Sequence, residues 1–309
     1  MFDCQLLATH VHKLLSMHFH SLHKPHLKTL SDLIVAMFSI DKFTVRDIAA
    51  HLPSDTQVKH KLKRLQNFLD RLNIDEEFWK SHVRMIVSLP YFQPRRRKKM
   101  ILLLDWTTLK NDYWILALSV KYRDRAIPLY MAVWEKTDTE DDIFGKVKRV
   151  IETAKMTLPR KHVTVVDEKF RSPQLLKICE EIGWGCIMSL NDTSMIEMGS
   201  IRYIEFTDGK YLATNIKDRD EVILRDFESI ISLKEKLDDL KVRLHWEKYT
   251  RKLPLKHRME KLLIVSVMSY AIQLGLGGVE EIKNCDEETI TSKFRHIYVS
   301  TWRAKQLLF

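Results

Sequence analysis

Glycine and proline are scarce, eight of each in 309 residues, which excludes a loop-rich or low-complexity chain. Cysteine is scarcer still. Cys4, Cys179, Cys186 and Cys285 stand far apart, and no C-x-x-C pair occurs. That spacing excludes a zinc ribbon or a dithiol redox motif and fits reduced thiols in a cytosolic protein. No unbroken apolar run reaches membrane-spanning length. The longest, "LLIVSVMSYAIQLGLGG" at 262–278, is interrupted by Ser266, Ser269 and Gln273 and reads as a buried helix, so no membrane partner is expected. The N-terminus "MFDCQLLATHVHKLL" has no basic segment leading into an apolar one, so no signal peptide is expected. No internal repeat is visible.

What is present points to a folded, basic protein. The hydrophobic share is 45%, enough for a sizeable core. The formal net charge is +10, an excess that suits a polyanionic partner, nucleic acid being the commonest. Two stretches concentrate it. The run Arg95, Arg96, Arg97, Lys98, Lys99 can neutralise several phosphates; the bland alternative is a solvated linker. The stretch 56–74 reads as an amphipathic helix carrying Lys59, Lys61, Lys63, Arg64 and Arg71 beside Leu62, Leu65, Phe68 and Leu69, and Lys63 and Arg64 are its candidate DNA contacts. The histidines His10, His12, His18, His20, His23 and His26 match no zinc spacing. Trp106 and Trp246 are the aromatic side chains considered for base stacking.

Residues 1–90 are helical in pattern, with helices at 27–40, 43–52, 56–74 and 76–89, and Pro90 and Pro94 bracket a break; Thr44 and Asp47 form a capping-box variant. The period then changes. "MILLLDWTTLK" (100–110), "YWILALSVKY" (113–122) and "RAIPLYMAVWE" (125–135) read as three close strands. A helix at 142–158, a strand at 162–170, a helix opened by Ser172 and Pro173, and a short strand at 186–190 follow. Three further strands are expected at 201–206, 210–216 and 221–227, the first two joined by a "TDG" turn. "IISLKEKLDDLK" (230–241) reads as one helix, with Leu233, Leu237, Leu240 and Leu244 on a stripe. A long apolar helix near 257–275 closes the series, and 279–309 gives no clear pattern. Strand-strand-strand-helix-strand-helix-strand is the element order of a ribonuclease-H-like core: an α/β mixed sheet, preceded by an all-helical region and carrying a small β insertion at about 191–228. The expected division is 1–94, 95–278 and a tail at 279–309.

Two acids sit in this frame. Asp105 in "LLLDWT" and Asp167 in "VTVVDEKF" each lie in or at the end of an apolar strand, where a charge is costly unless it is paired. The bland reading of Asp105 is a strand-end acid capping a turn through Thr107 or Thr108. In a ribonuclease-H-like sheet the first and fourth strands are neighbours, so the two carboxylates are expected to face each other. Divalent cations would hold them together, and a pair of Mg²⁺ ions so held serves phosphodiester chemistry.

These blocks resemble bacterial insertion-sequence transposases of the DDE type, in the large group marked by a Y-x-x-R-x-x-x-E-(six)-K signature. "ILLLDWTTLK…YWILALSVKYRDRAIPLY" resembles the first-aspartate block and "VTVVDEKFRSPQLL" the second, where Lys169 replaces the usual glycine. "HKLKRLQNFLDRLNID" (60–75) is similar to the N-terminal helix of that group, and "RMEKLLIVSVMSYAIQLGLG" to the helix that closes its core. The resemblance covers roughly 27–276. It implies a DNA transposase that cuts and joins DNA with two Mg²⁺ or Mn²⁺ ions. It also implies terminal inverted repeats and target DNA as double-stranded partners, a homodimer on DNA, and a place at the bacterial nucleoid in the cytoplasm.

The third catalytic block departs from the group. With Lys241 set on the last signature position, the other three fall on Phe227, Ile230 and Lys234, so a lysine stands where the glutamate belongs. Three readings remain: Glu235 serves after a local shift, Asp238 serves one turn after Lys234, or the third acid is absent. Glu235 is the residue chosen as third catalytic and metal-binding acid beside Asp105 and Asp167, with Lys241 among the DNA contacts. Ser189 stands where the family often has arginine, a second loss consistent with a degenerate copy. Two further functions stay open: a copy that binds element ends without cutting them, and a non-mobile ribonuclease-H-like nuclease.

Overall fold

A computed structural model of the chain describes residues 4–40, 42–90, 99–109, 113–135, 140–158, 162–191, 201–207, 210–234, 236–246, 256–277 and 286–308. The chain forms two compact units, one from residues 95–240, the other from 1–94 together with 241–309. The stretch 241–278, expected to close the sheet domain, belongs instead with the N-terminal helices, and 279–309 is no separate tail.

The N-terminal part of the helical unit contains α1 (Cys4–Ser16), α2 (Lys24–Ala36), α3 (Val45–Ala50), α4 (Val58–Arg71) and α5 (Glu76–Ser88). Their ends follow local chemistry. The Thr44 hydroxyl accepts the Asp47 N–H at 3.0 Å and starts α3. The Asp75 carboxylate accepts the Phe78 N–H at 2.9 Å and starts α5, whose first turn adds Glu76 and Glu77, charges that suit the positive end of a helix. α4 buries Leu65, Phe68 and Leu69 on one stripe, as its spacing predicts.

The other unit is built on one seven-stranded mixed sheet. Its strands are β1 (Met100–Leu109), β2 (Tyr113–Tyr122), β3 (Arg125–Glu135), β4 (Val163–Asp167), β5 (Gly185–Leu190), β6 (Arg202–Thr207) and β7 (Lys210–Thr214), in the order β3-β2-β1-β4-β5-β7-β6. β1 and β4 are parallel neighbours, as are β4 and β5; the remaining pairs are antiparallel. The helices are α6 (Glu140–Thr157), α7 (Pro173–Glu181), α8 (Asp220–Ile231) and α9 (Leu237–Arg243). The Ser172 side chain caps α7 by accepting the Gln174 N–H at 3.3 Å.

Two expectations fail in this unit. The stretch 221–227 is the body of α8, not a third strand of an insertion. Ile223, Phe227 and Ile230 are buried at a spacing of four and three, with Asp220 and Glu221 in the first turn, the pattern of an amphipathic helix. They pack on Leu103, Val166, Ile187, Ile204 and Leu212, so α8 covers one face of the sheet. The stretch 230–241 is not one helix either. The Lys234 N–H bonds to the Asp124 carbonyl in the β2–β3 turn at 2.9 Å, which draws the chain out of helical register. α9 then starts afresh at Leu237, with the Asp239 carboxylate accepting the Lys236 N–H at 3.0 Å.

Two later helices, α10 (Lys256–Gly275) and α11 (Glu287–Leu308), complete the helical unit. α10 is buried, and no helix among the described residues is long and apolar enough to cross a membrane. The three polar residues that interrupt its apolar run are paired. Ser266 donates to the Leu263 carbonyl at 2.7 Å and accepts from Trp246 Nε1 at 3.0 Å. Ser269 donates to the Ile34 carbonyl at 3.0 Å, and Gln273 donates to Ser269 at 3.3 Å. Buried polar groups satisfied in this way cost little.

Candidate functional site

The site is built at the carboxyl ends of β1 and β4, where the start of α9 meets Asp105 on the face that α8 covers. Asp105 is 1% exposed and Asp167 is fully buried. The register sets Leu104, not Asp105, beside Asp167. Side chains alternate along a strand, so Asp105 shares the α8 face with Leu103, while Asp167 leaves the sheet on the other. The two acids expected to face each other are therefore separated by the sheet itself.

Asp167 is turned into its own loop. Its Oδ1 accepts the N–H groups of Lys169 (3.2 Å) and Phe170 (2.8 Å), and its Oδ2 that of Arg171 (2.6 Å). Burial pushes its pKa up to about 6, against the opposing pull of these three bonds. Asp167 thus caps its own turn.

Asp105 has other partners. Its Oδ1 accepts the Trp106 N–H at 2.9 Å and the Lys169 ammonium at 2.9 Å, and its Oδ2 accepts the Leu237 N–H at the start of α9 at 3.2 Å. The same ammonium lies 2.7 Å from Asp238 Oδ2 and 3.4 Å from the Trp106 carbonyl. The Thr107 hydroxyl donates to the other Asp238 oxygen. One residue before α9, Lys236 pairs with Glu168 at 2.6 Å. Burial opposes the charge on Lys169, but the bonds and charges of Asp238 and Asp105 outweigh it and hold its pKa above the ordinary lysine value. Three carboxylates and two ammonium groups thus pair at this end of the sheet, with one more negative charge than positive.

The resemblance implies two divalent ions here, and the described residues do not fit them. An ammonium lies between Asp105 and Asp238, where a cation would otherwise be drawn. Asp167 is on the opposite face with its oxygens engaged by backbone. Among the described residues, no group of three or more His, Cys, Asp or Glu side chains is placed to hold an ion. Glu235 lies outside the described residues. Lys234, set by signature spacing on the glutamate position, points to solvent with 80% side-chain exposure and lies 3.7 Å from Asp124. Asp238, the alternative weighed for the third acid, does approach Asp105, but through Lys169. The pairing of Glu168 with Lys236 had no sequence signal beyond the charges themselves.

The expected DNA contacts divide in the same way. Arg95, Arg96, Arg97 and Lys98 lie outside the described residues. Lys99 is held by Asp226 (3.1 Å) and Asp218 (3.3 Å). Arg64 is turned inward to the buried Asp32 at 2.9 Å. Lys63 is exposed. Lys241 is half-buried in the last turn of α9. Trp246 is fully buried, and Trp106 stacks edge-on against Trp114 at 4.5 Å. The positive charge itself is unevenly spread. The helical unit has 25 Lys and Arg against 16 Asp and Glu, whereas residues 95–240 have 26 against 25.

No family model and no curated protein matches the chain. Among solved structures, the cryo-EM structure of a piggyBac transposase synaptic complex with hairpin DNA aligns with 98% of this chain and 79% of that one, at a TM-score of 0.42 and 10% sequence identity. A score of that size does not establish a shared fold.

Proposed function

We propose that this chain is a DNA-binding protein of insertion-sequence transposase ancestry, with a ribonuclease-H-like core whose carboxylate cleft is closed by its own lysine. It holds element ends without cutting them. The ancestry is supported by the two aspartate blocks of the sequence and by the sheet order, in which β1 and β4 are parallel neighbours carrying Asp105 and Asp167. DNA binding is supported by the positive excess of the helical unit. The single observation that carries the loss of cutting is the Lys169 ammonium at 2.9 Å from Asp105 and 2.7 Å from Asp238. A bound ammonium satisfies the two carboxylates and repels a divalent ion from the same place. Lys169 stands where the resembling group has glycine, which has no side chain to fill the cleft.

The competing reading is a working transposase with two Mg²⁺ or Mn²⁺ ions on Asp105, Asp167 and Glu235. It requires Lys169 to leave the cleft and Asp167 to leave its turn. One assay separates the two. The parent protein, Asp105→Ala and Glu235→Ala are incubated with duplexes bearing the sequences that flank the gene, with Mg²⁺ or Mn²⁺, beside an active relative as positive control. Retained binding with no cleavage by the parent is expected. Metal-dependent cleavage by the parent that disappears in Asp105→Ala would establish the cutting enzyme instead, and its loss in Glu235→Ala would identify the third acid.

A further inference from the structure

α4 differs from the other helices in how its charges are used. Its inward cations are spent on fixing it. The Lys61 ammonium, 9% exposed, donates to the Leu52 carbonyl at 2.8 Å and the Ala50 carbonyl at 3.5 Å, so it closes the end of α3. Arg64 is paired with the buried Asp32 of α2. At the far end, Arg258 binds both oxygens of Asp70 at 2.6 Å, and Lys261 caps the Leu69 carbonyl at 2.6 Å. α4 is thus tied to three other helices.

On its outward side Asp70, near the C-terminal end, is held by Arg258 and His257, and the side chains before it are free. Lys59, His60, Lys63 and Asn67 are all exposed, and among the described residues none of these side chains has a hydrogen bond or ion pair. At 100° per residue these four positions fall within an arc of about 100°. They form one narrow stripe of two ammonium groups, an imidazole and an amide on a helix of 14 residues. α3 packs behind it, joined by the seven-residue connection 51–57. Held from behind by α2 and α3 and at its C-terminal end by α10, with donors on the open side before that end, α4 has the layout of the second helix of a helix-turn-helix.

We propose that the outer stripe of α4 is the surface that enters the major groove of duplex DNA, with Lys59 and Lys63 on phosphates and His60 and Asn67 on base edges. This inference rests on the DNA-binding reading above and names the surface responsible for it. The assignment follows from chemistry. An ammonium contacts phosphate as a point charge, an amide can bond an adenine edge with both its atoms, and a helix fits the width of the major groove. Of the two candidates that the sequence offers on this helix, Lys63 lies on the stripe, and Arg64 is excluded because its guanidinium holds Asp32. Anchoring on the inner side removes the ordering cost that a loose helix would meet on binding.

The test is DNA binding by the full chain across a salt series. Its two probes are a random-sequence duplex and a duplex that the parent protein selects from a random pool. In the double variant Lys59→Gln/Lys63→Gln, the slope of log affinity against log salt is expected to fall by about two, one for each lost phosphate contact. His60→Ala and Asn67→Ala are expected to keep the slope and to lose about tenfold of the preference for the selected duplex. As a readout free of mutation, acylation of Lys59 and Lys63 in the parent, followed by mass spectrometry, should drop when DNA is added. Parent binding with an unchanged slope in the double variant, or unchanged acylation, would overturn the assignment while leaving DNA binding intact. A parent that binds neither duplex at low salt would overturn the DNA-binding reading and this surface with it.

Discussion

At the residue scale the site is decided by where one ammonium and one carboxylate go. Lys169 was visible in the sequence only as a departure from glycine, and its destination was not. Which acids it meets depends on the register of β1 on β4 and on the restart of the chain at α9. Asp105 and Asp167 were both legible, because an acid in an apolar strand stands out. Their separation was not legible, since a shift of one residue in strand pairing exchanges the two faces. Asp167 carries a measurable consequence. Its pKa of about 6 lies above the ordinary value of 3.8. The folded state therefore binds more protons than the unfolded state between those values. Stability must then fall as pH rises through that window and stay reduced above it. The penalty at neutral pH is on the order of 3 kcal/mol, since each tenfold change in proton affinity is worth about 1.4 kcal/mol. Asp167→Asn removes the ionisation but keeps one oxygen for the loop. Urea unfolding of parent and variant at about pH 4 and pH 7 should show their difference moving in the variant's favour at the higher pH. A difference independent of pH would mean that Asp167 is not ionised at a cost in the folded protein.

At the element scale most of the chain follows its local pattern. The helices α2 to α5 and the strands β1 to β5 lie where periodicity placed them, because each carries an apolar stripe or run, whereas α1 was not placed from the sequence. α8 shows how a short window misleads. "EVILRDF" contains the apolar triplet Val222, Ile223, Leu224, which imitates a strand. Only the longer spacing to Phe227 and Ile230 reveals the helix. The break after Ile231 has no Pro or Gly to announce it, since its cause is a carbonyl from another element, that of Asp124. The fixed point of α8 is Phe227, 1% exposed and 5.3 Å from Phe206 in an edge-to-face contact. Phe227→Ala should cost about 3–5 kcal/mol, the range for emptying a buried aromatic site. A midpoint shift in chemical denaturation would measure it, and a loss below about 1 kcal/mol would mean that α8 is not clamped to the sheet by this ring.

At the scale of the whole molecule the two units differ in charge and in chain path. The helical unit carries nearly all of the positive excess, and residues 95–240 are close to balanced. The sequence boundary at 94 was readable from the change of period. The second boundary, near 240, was not, because an apolar helix such as α10 is equally at home in either interior. The split predicts unequal responses to shortening the chain. A protein ending at residue 240 keeps every strand, but it loses α10, which carries Leu262, Leu263 and Ile264 in the core and bonds the Ile34 and Leu69 carbonyls. Far-ultraviolet circular dichroism should show most of the signal of α1 to α5 gone, with a cooperative sheet transition remaining. An intact helical signal would show that residues 1–94 hold together alone.

Because α10 and α11 follow the sheet unit in the chain, the helical unit has to wait during synthesis. Its first 94 residues leave the ribosome early, yet the helices that complete its interior are made only after the whole of 95–240. The balanced unit can fold first, while the basic unit stays open until α10 and α11 have been made. A frameshift or stop codon between the end of α9 and the start of α10 then yields a product that keeps the Lys169 cluster and lacks the helices that complete the basic unit. On the DNA-binding reading proposed above, binding is expected only once the ribosome has read through both helices.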